Sequence, residues 1–377
     1  MANAFNGVEM KHMQDNLQNS AARLVQWVST KALPIWVERA HLEDGSWVEH
    51  LTLAGTPDFS AERRWRVLAR QVYVYAKATQ LGWYKGEEIT VTTYKKMQEI
   101  GYVHRVGMDG AINNDMRDFY DHAFYILAAS SLYALTKKQT YLDDAENLLA
   151  WLDATLSHPS GGWKETNLAA DTDPRRQNPH MHLLEASLFL HGVTGQGKHL
   201  NYARQAFTLF ETHFFDAGTI SEFFDADWTL SKGEHGQTTE PGHAVEWIWL
   251  LGQYAKATGV DVRTHQKSLY DRALKGRDIF LNDEEDKSGN IRRETKRLWV
   301  QTEVIKAHLA MAENNVAGSR DMAAATIDAL FPTYLTTEGL WNDQINACKA
   351  NIAKTIPVST FYHILCMTAE AERIAAL

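Results

Sequence analysis

The side chains best suited to moving protons recur along this chain at a fixed interval. His122, His182, His243 and His363 are separated by 60, 61 and 120 residues, the last gap being two periods. The skipped station falls near Glu303, in the polar run Trp299-Val-Gln-Thr-Glu303 that opens an apolar helical segment. A long period marked by polar rather than apolar groups points to repeated units presenting side chains to one centre, as a ring or a solenoid. The imidazole titrates near neutrality, so the chemistry on offer is general acid–base catalysis.

Around each station the neighbours sharpen the reading. In Arg175-Arg-Gln-Asn-Pro-His-Met-His-Leu-Leu-Glu185, Pro179 suits the first turn of a helix, which places Asn178 and His182 on one face. His180 and His182 point about 200° apart on a helix, so only one faces the centre. A hydrogen bond from His182 to Glu185 is the structural alternative to a functional role. In Glu240-Pro-Gly-His-Ala-Val-Glu-Trp247, His243 lies in the first helical turn with Glu246 one turn on. The helix N-terminus disfavours imidazolium there, while a nearby carboxylate pulls the other way and fixes the tautomer. His363 opens the last helix in Ser359-Thr-Phe-Tyr-His363, and Trp299 could form a stacking wall. Arg70 sits in an apolar helical stretch and requires a partner if buried: a sugar oxygen, an anionic intermediate or a structural carboxylate. Asp121 beside His122 favours a structural hydrogen bond at that station. A metal held by His182, His243 and Glu246 is conceivable, but single ligands on separate helices are a weak pattern, and no metal or other cofactor is expected.

The elements that must position these groups are helical. Apolar periodicity predicts twelve segments, at 14–39, 60–81, 87–101, 116–136, 140–156, 180–193, 198–214, 240–258, 261–280, 298–313, 317–332 and 357–376. They fall into six pairs, which predicts an all-α (α/α)6 barrel. Connections leaving the even-numbered segments are short, as at Lys137–Gln139 and Gly259–Val260. Those entering them, such as Ser157–Pro179, Phe215–Thr239 and Leu281–Arg297, are long and should line the active-site end. Short hairpins are expected at Ile220–Phe224 and Asn290–Glu294. The even segments are apolar nearly all round, as befits inner helices. No linker divides the chain, so one domain over residues 1–377 is expected.

Composition narrows the partners. A net charge of −9, with Lys and Arg scattered, argues against nucleic acid or an anionic membrane. The polar stretch Met1–Asn19 lacks the apolar core of a signal peptide, and no run is long enough to span a bilayer; a cytoplasmic monomer or homodimer is expected. Cys348 and Cys366 should be buried free thiols. Twelve tryptophans and 14 tyrosines supply flat faces that suit sugar rings. Phosphate loops, nucleophile elbows and zinc helices are absent from the sequence.

Four motifs in order (residues 176–186, 240–247, 298–303 and 359–363) resemble the N-acylglucosamine 2-epimerase superfamily, and within it the D-mannose isomerase branch. The similarity runs from about residue 60 to the C-terminus. It implies an (α/α)6 barrel that isomerises or epimerises a free monosaccharide without metal or nucleotide. By position, His243 and His363 match the acid/base histidines, and Arg70, Tyr120, Asn178, His182, Glu246 and Trp299 match substrate contacts. Leu298-Trp299 stands where epimerases often have tandem tryptophans, and Ser359–Tyr362 where cellobiose epimerases often carry one. These departures favour a monosaccharide isomerase. The implied reaction interconverts D-mannose and D-fructose, and D-lyxose and D-xylulose, through a cis-enediolate, with Arg70 and His182 stabilising the oxyanion. The rivals are a sugar 2-epimerase, a glycoside hydrolase using a pair such as Asp171 and Asp173, and a non-enzymatic helical scaffold.

Overall fold

In a computed structural model, residues 16–377 are described; the predicted features of Met1–Asp15, including the first two residues of the segment 14–39, lie outside them. Twelve helices of eight residues or more follow in chain order, besides a single helical turn at Glu234–Gln237. The first comprises residues 16–27, a π turn Val28–Ala32, and α1 (Leu33–Ala40). Then come α2 (Arg66–Gln80), α3 (Glu87–Ile100), α4 (Phe119–Thr136), α5 (Gln139–Leu156) and α6 (Asn178–Thr194). The rest are α7 (Leu200–Leu209), α8 (Pro241–Thr258), α9 (Arg263–Leu274), α10 (Leu298–Glu313), α11 (Ser319–Thr333) and α12 (Phe361–Ala375).

The even-numbered helices pack side by side in the order α2, α4, α6, α8, α10, α12, and α12 returns to α2. The ring closes, so this is an (α/α)6 barrel. Outer helices α3, α5, α7, α9 and α11 each lie on the inner helix that precedes them. Against the last inner helix, Trp36 of α1 meets Phe361 with ring centroids 6.1 Å apart. Burial on both sides explains the inner helices' composition: in α4 every residue from Asp121 to Leu132 is buried. Their ends are set by local chemistry. Asp118 caps α4 by accepting from the Asp121 amide (3.0 Å). Pro179 and Pro241 start α6 and α8, and Gly195 and Gly259 end them with φ of 69° and 78°.

Short ladders stitch the loops that enter the inner helices into a collar. The loop before α2 pairs with the loop before α4 (Arg63–Arg64 with Arg105–Val106). An isolated bridge, Asp118 to Thr166, continues to the loop before α6. Arg175–Arg176 then pair with Phe223–Phe224, Thr238–Thr239 with Glu285–Asp286, and Lys296–Arg297 with Gln344–Ile345. His50–Thr52 with Thr355–Pro357 completes the circuit. The mouth is thus a hydrogen-bonded ring above a helical one.

Several boundaries differ from the sequence reading for reasons visible in this collar. Segment 60–81 becomes helical only at Arg66, because Arg63–Arg64 join a ladder. Segment 261–280 ends as a helix at Leu274. Ile291–Arg293 does form a hairpin, with Glu284–Asp286. Ile220–Phe224 does not: Thr219–Ile220 turns back on Phe215–Asp216, while Phe223–Phe224 crosses to Arg175–Arg176. Cys366 is buried and free, whereas Cys348 is exposed. Among the described residues no helix is long and apolar enough to cross a membrane.

Candidate active site

A cavity of about 310 Å³ opens at the loop-lined end. Its wall contains Arg70 of α2, Tyr120 of α4, Asn178 and His182 of α6, His243 and Glu246 of α8, Trp299 of α10 and His363 of α12. Each inner helix contributes from its N-terminal half, which is why the stations keep step with the helix pairs. His180 faces the collar instead: its Nδ1–H donates to Arg176 O (3.0 Å), and its Nε2 accepts from the Trp163 amide (3.2 Å). His122 also stands apart. Its Nδ1 bonds Asp118 O (2.9 Å) and its ring stacks on Trp151. Asp121, the expected partner of His122, is taken by Arg66 (2.6 Å) and His104 (2.7 Å).

Three histidines in the wall share one device. His182 Nδ1 lies 3.1 Å from Glu185 Oε2, His243 Nδ1 lies 3.0 Å from Glu222 Oε1, and His363 Nδ1 lies 2.9 Å from Glu303 Oε1. A carboxylate at Nδ1 takes the proton of that nitrogen as a hydrogen bond and leaves Nε2 for substrate. Glu303 occupies the station where no histidine stands. Glu222 was not singled out by sequence reasoning. Its signal is a lone acid in the apolar run Ile220-Ser-Glu-Phe-Phe224, which when buried demands a partner. It is fixed by Gln177 Nε2 (2.9 Å), and Gln177 Oε1 accepts from Trp247 Nε1 (2.9 Å).

The same device gives opposite charges at two of the stations. Burial alone would lower the His243 pKa, but Glu222 foremost and then Glu240 outweigh it and raise it to about 9. His243 is therefore an imidazolium at neutral pH, contrary to the neutral form expected from its place at a helix N-terminus; the carboxylates dominate the dipole. Asn178 Nδ2 lies 3.1 Å from His243 Nε2, and Asn178 Oδ1 is buried without a partner. Turning the amide over lets Oδ1 accept from the Nε2–H of the imidazolium. His363 is driven the other way. Burial lowers its pKa well below the usual value, and the cations Arg70 and Lys306 lower it further. Burial likewise lowers His182, against the pull of Glu185. The Glu246 carboxyl is raised well above its usual range, by burial first and then by Glu303. The shift favours its protonated form, and among the described residues its Oε1 has no partner.

Among the described residues, Arg70 has no carboxylate beside it. Nη2 donates to Tyr120 Oη (2.7 Å), Nη1 donates to Ser359 O (3.3 Å), and the guanidinium lies 4.2 Å from the Phe124 ring centroid. The other two arginines in the wall are neutralised: Arg64 pairs with Glu49, and Arg297 with Glu240 (3.0 Å). Trp299 stands between the two fixed histidines, 5.4 Å from the His243 ring and 5.6 Å from the His363 ring. Its position depends on Gly242, where an added Cβ would lie 2.6 Å from Trp299 Cη2. Gly242→Ala is thus expected to push the indole into the cavity and raise KM more than it lowers kcat, measured by steady-state kinetics on the preferred sugar.

Beneath this wall lies a buried polar layer. Glu185 accepts from the Tyr362 hydroxyl, and the Lys306 ammonium lies 2.6 Å from Glu303 Oε2. Ligand-type atoms of Glu246, Glu303 and His363 come within 4.8 Å of one another, as do those of His182, Glu185 and Glu246. The Lys306 ammonium supplies positive charge to this layer. A larger cavity of about 970 Å³ enters from the opposite end, between the C-terminal halves of the inner helices. It contains none of the eight predicted site residues. Asp171 and Asp173 are exposed and outside both cavities.

Residues 45–367 match the family model described as N-acylglucosamine 2-epimerase (GlcNAc 2-epimerase). A protein named mannose-6-phosphate isomerase, from Rhizobium meliloti (strain 1021), is 32% identical over 381 residues, spanning 93% of this chain and 96% of that one. Cellobiose 2-epimerase from Spirochaeta thermophila DSM 6192 superposes with a TM-score of 0.86 at 19% identity, covering 96% of this chain and 97% of that one. A D-mannose isomerase crystal structure superposes with a TM-score of 0.81 at 18% identity, covering 93% and 97%. The barrel and these matches define the class as a sugar isomerase or epimerase. The chain belongs to the N-acylglucosamine 2-epimerase family.

Proposed function

We propose that this enzyme interconverts D-mannose and D-fructose, and the five-carbon pair D-lyxose and D-xylulose, which shares the C2–C4 configuration. The observation that carries the reading is the pair His243 and His363, each fixed at Nδ1 by a buried carboxylate and held in opposite protonation states. That is the equipment for one base and one acid at neutral pH.

Neutral His363 takes the C2 proton of the open-chain aldose on Nε2. The electron pair forms the C1–C2 double bond while His243 donates its Nε2 proton to O1, giving the cis-enediol. His243 then recovers a proton from O2 as the C2 carbonyl forms. His363, its Nε2 proton having exchanged with solvent, protonates C1 on the same face. Arg70, without a carboxylate of its own, stabilises the oxygen that carries negative charge during transfer. Glu246, protonated, donates to a hydroxyl. His182, whose Nδ1–H is committed to Glu185, presents Nε2 as an acceptor. It therefore orients a hydroxyl and leaves the oxyanion to Arg70 and His243. Trp299 covers a sugar face.

Two features support a free monosaccharide. The cavity, about 310 Å³, is at the small end of the ~300–1,000 Å³ usual for small-molecule sites. Its flanking arginines Arg64 and Arg297 are already paired with carboxylates, which leaves no strong site for a sugar phosphate. The second reading is a 2-epimerase, favoured by the same opposed histidines if they face C2 from both sides. Incubation with D-mannose in D₂O, followed by proton NMR with and without chelator, separates the two. Fructose labelled at C1, unaffected by chelator, is the expected result. Glucose labelled at C2 would replace the isomerase with the epimerase, and no exchange with common aldoses would remove both.

A further inference from the structure

Lys306 is a lysine at the centre of a protein, and nothing in the sugar chemistry above uses it directly. It lies on α10 one turn beyond Glu303, and both side chains are 0% exposed. Its ammonium lies 2.6 Å from Glu303 Oε2 and 4.0 Å from the Trp249 ring centroid. The other Glu303 oxygen, Oε1, holds His363 Nδ1 at 2.9 Å. The chain ammonium–carboxylate–imidazole thus runs from the barrel axis to the cavity wall.

Resting on the assignment of His363 as base, we propose that Lys306 is its positioning residue: the ammonium holds Glu303 as a carboxylate, which holds the His363 Nδ1 proton and leaves Nε2 as the lone pair facing the sugar. A carboxyl in this dry layer would otherwise take up a proton. Burial raises Glu303 on balance, and Lys306 is the largest influence opposing that rise. Burial opposes the charge on Lys306 as well, yet Glu303 beside it holds it above the ordinary lysine value.

The surrounding charges agree with this division. From α2, Arg70 acts on His363; from α6, His182 and Glu185 do so. From α8, Glu246 approaches Glu303 and His363, and burial with Glu303 beside it pushes its carboxyl toward the neutral form. On α12, burial pushes the Cys366 thiol up to about 12 and raises the Tyr362 phenol well above its usual value, so both are uncharged. Lys306 is therefore the cation opposed to Glu303. Without it two outcomes are open. Either Glu303 stays ionised and draws a proton onto His363, or Glu303 becomes protonated and donates to Nδ1, which moves the imidazole proton to Nε2. Both put hydrogen on Nε2 and end its service as a base.

The test is K306M, read by ¹⁵N NMR of the histidine ring nitrogens and by the pH dependence of kcat/KM. At pH 7 the unaltered protein should show an unprotonated Nε2 at His363 and K306M a protonated one. The acid limb of kcat/KM should move up by about 1–3 pH units. Turnover should fall ~10²-fold at pH 7, with KM little changed because Lys306 does not touch sugar. The charge-neutral pair K306M/E303Q should restore the Nε2 lone pair and part of the rate. An unprotonated Nε2 in K306M, with the acid limb unmoved, overturns the proposal. Should K306M not fold, the ¹³C carboxyl signal of Glu303 in the unaltered protein decides: ionised at pH 7 is required, and protonated overturns it. The ring-nitrogen measurement needs no turnover, so absence of activity on any sugar would sink the functional reading and leave Lys306 to be judged separately.

Discussion

Alanine at His363 is expected to lower kcat on D-mannose ~10²–10⁴-fold, the range general acid–base catalysis contributes, with thermal unfolding little changed. The fold should tolerate the loss because Glu303 keeps its ion pair with Lys306, so no carboxylate is left without a counter-charge. Alanine at His243 should reduce kcat by a similar factor, since Glu222 remains bonded to Gln177. The two variants differ in a second readout. If His363 takes the C2 proton, His363→Ala abolishes solvent exchange at that carbon along with turnover. His243→Ala removes the proton donor for oxygen and leaves a slow exchange at C2, detectable by NMR in D₂O. Near-normal turnover in either variant, or the reverse pattern of exchange, would defeat the assignment of roles.

The barrel was legible because its inner helices are buried on both sides. That leaves long apolar segments with short exits and long entries, and the count of six pairs needed nothing more. The station residues were legible for a related reason: a polar side chain at the start of an apolar helix has few places to go except the mouth. What escaped was everything that depends on the collar. Arg63–Arg64 reads as the start of a helix and becomes a strand because Arg105–Val106 lies beside it. Ile220–Phe224 reads as a hairpin and is divided between two partners, since neither partner is near in sequence.

The charge state of the site was illegible for the same reason. His243 and Glu246 are neighbours on one helix, which made Glu246 the obvious carboxylate. The side chain at His243 Nδ1 is instead Glu222, delivered by the crossing ladder, and it reverses the expected protonation of the imidazole. Glu303 was visible only as the station without a histidine, not as the partner of His363 one period on. Lys306, a charge inside the apolar segment 298–313, shows what its neighbours require. A layer with three buried glutamates needs a cation, and the fold supplies it from within α10.

Glu222→Gln tests this account where it departs furthest from the sequence. Activity that needs imidazolium at His243 is present below its pKa and lost as pH rises through about 9. With glutamine the hydrogen bond to Nδ1 survives but the negative charge does not. Burial then dominates, and the His243 pKa should fall by about 1–3 units. The basic limb of kcat/KM should move down by that amount, so the loss is large at pH 8 and small at pH 6. The acid limb, set by His363, should stay in place. Stability should follow the same sign. A histidine raised from 6.5 to about 9 on folding stabilises the native state fully below pH 6.5, by roughly 3 kcal/mol, and that contribution disappears as pH rises through about 9. In Glu222→Gln the unfolding midpoint should lose this dependence between pH 6.5 and 9, as followed by circular dichroism. If the basic limb did not move, a group other than His243 would be the acid. If it moved while the stability profile did not, the limb would belong to another group of the free enzyme that feels Glu222, not to His243.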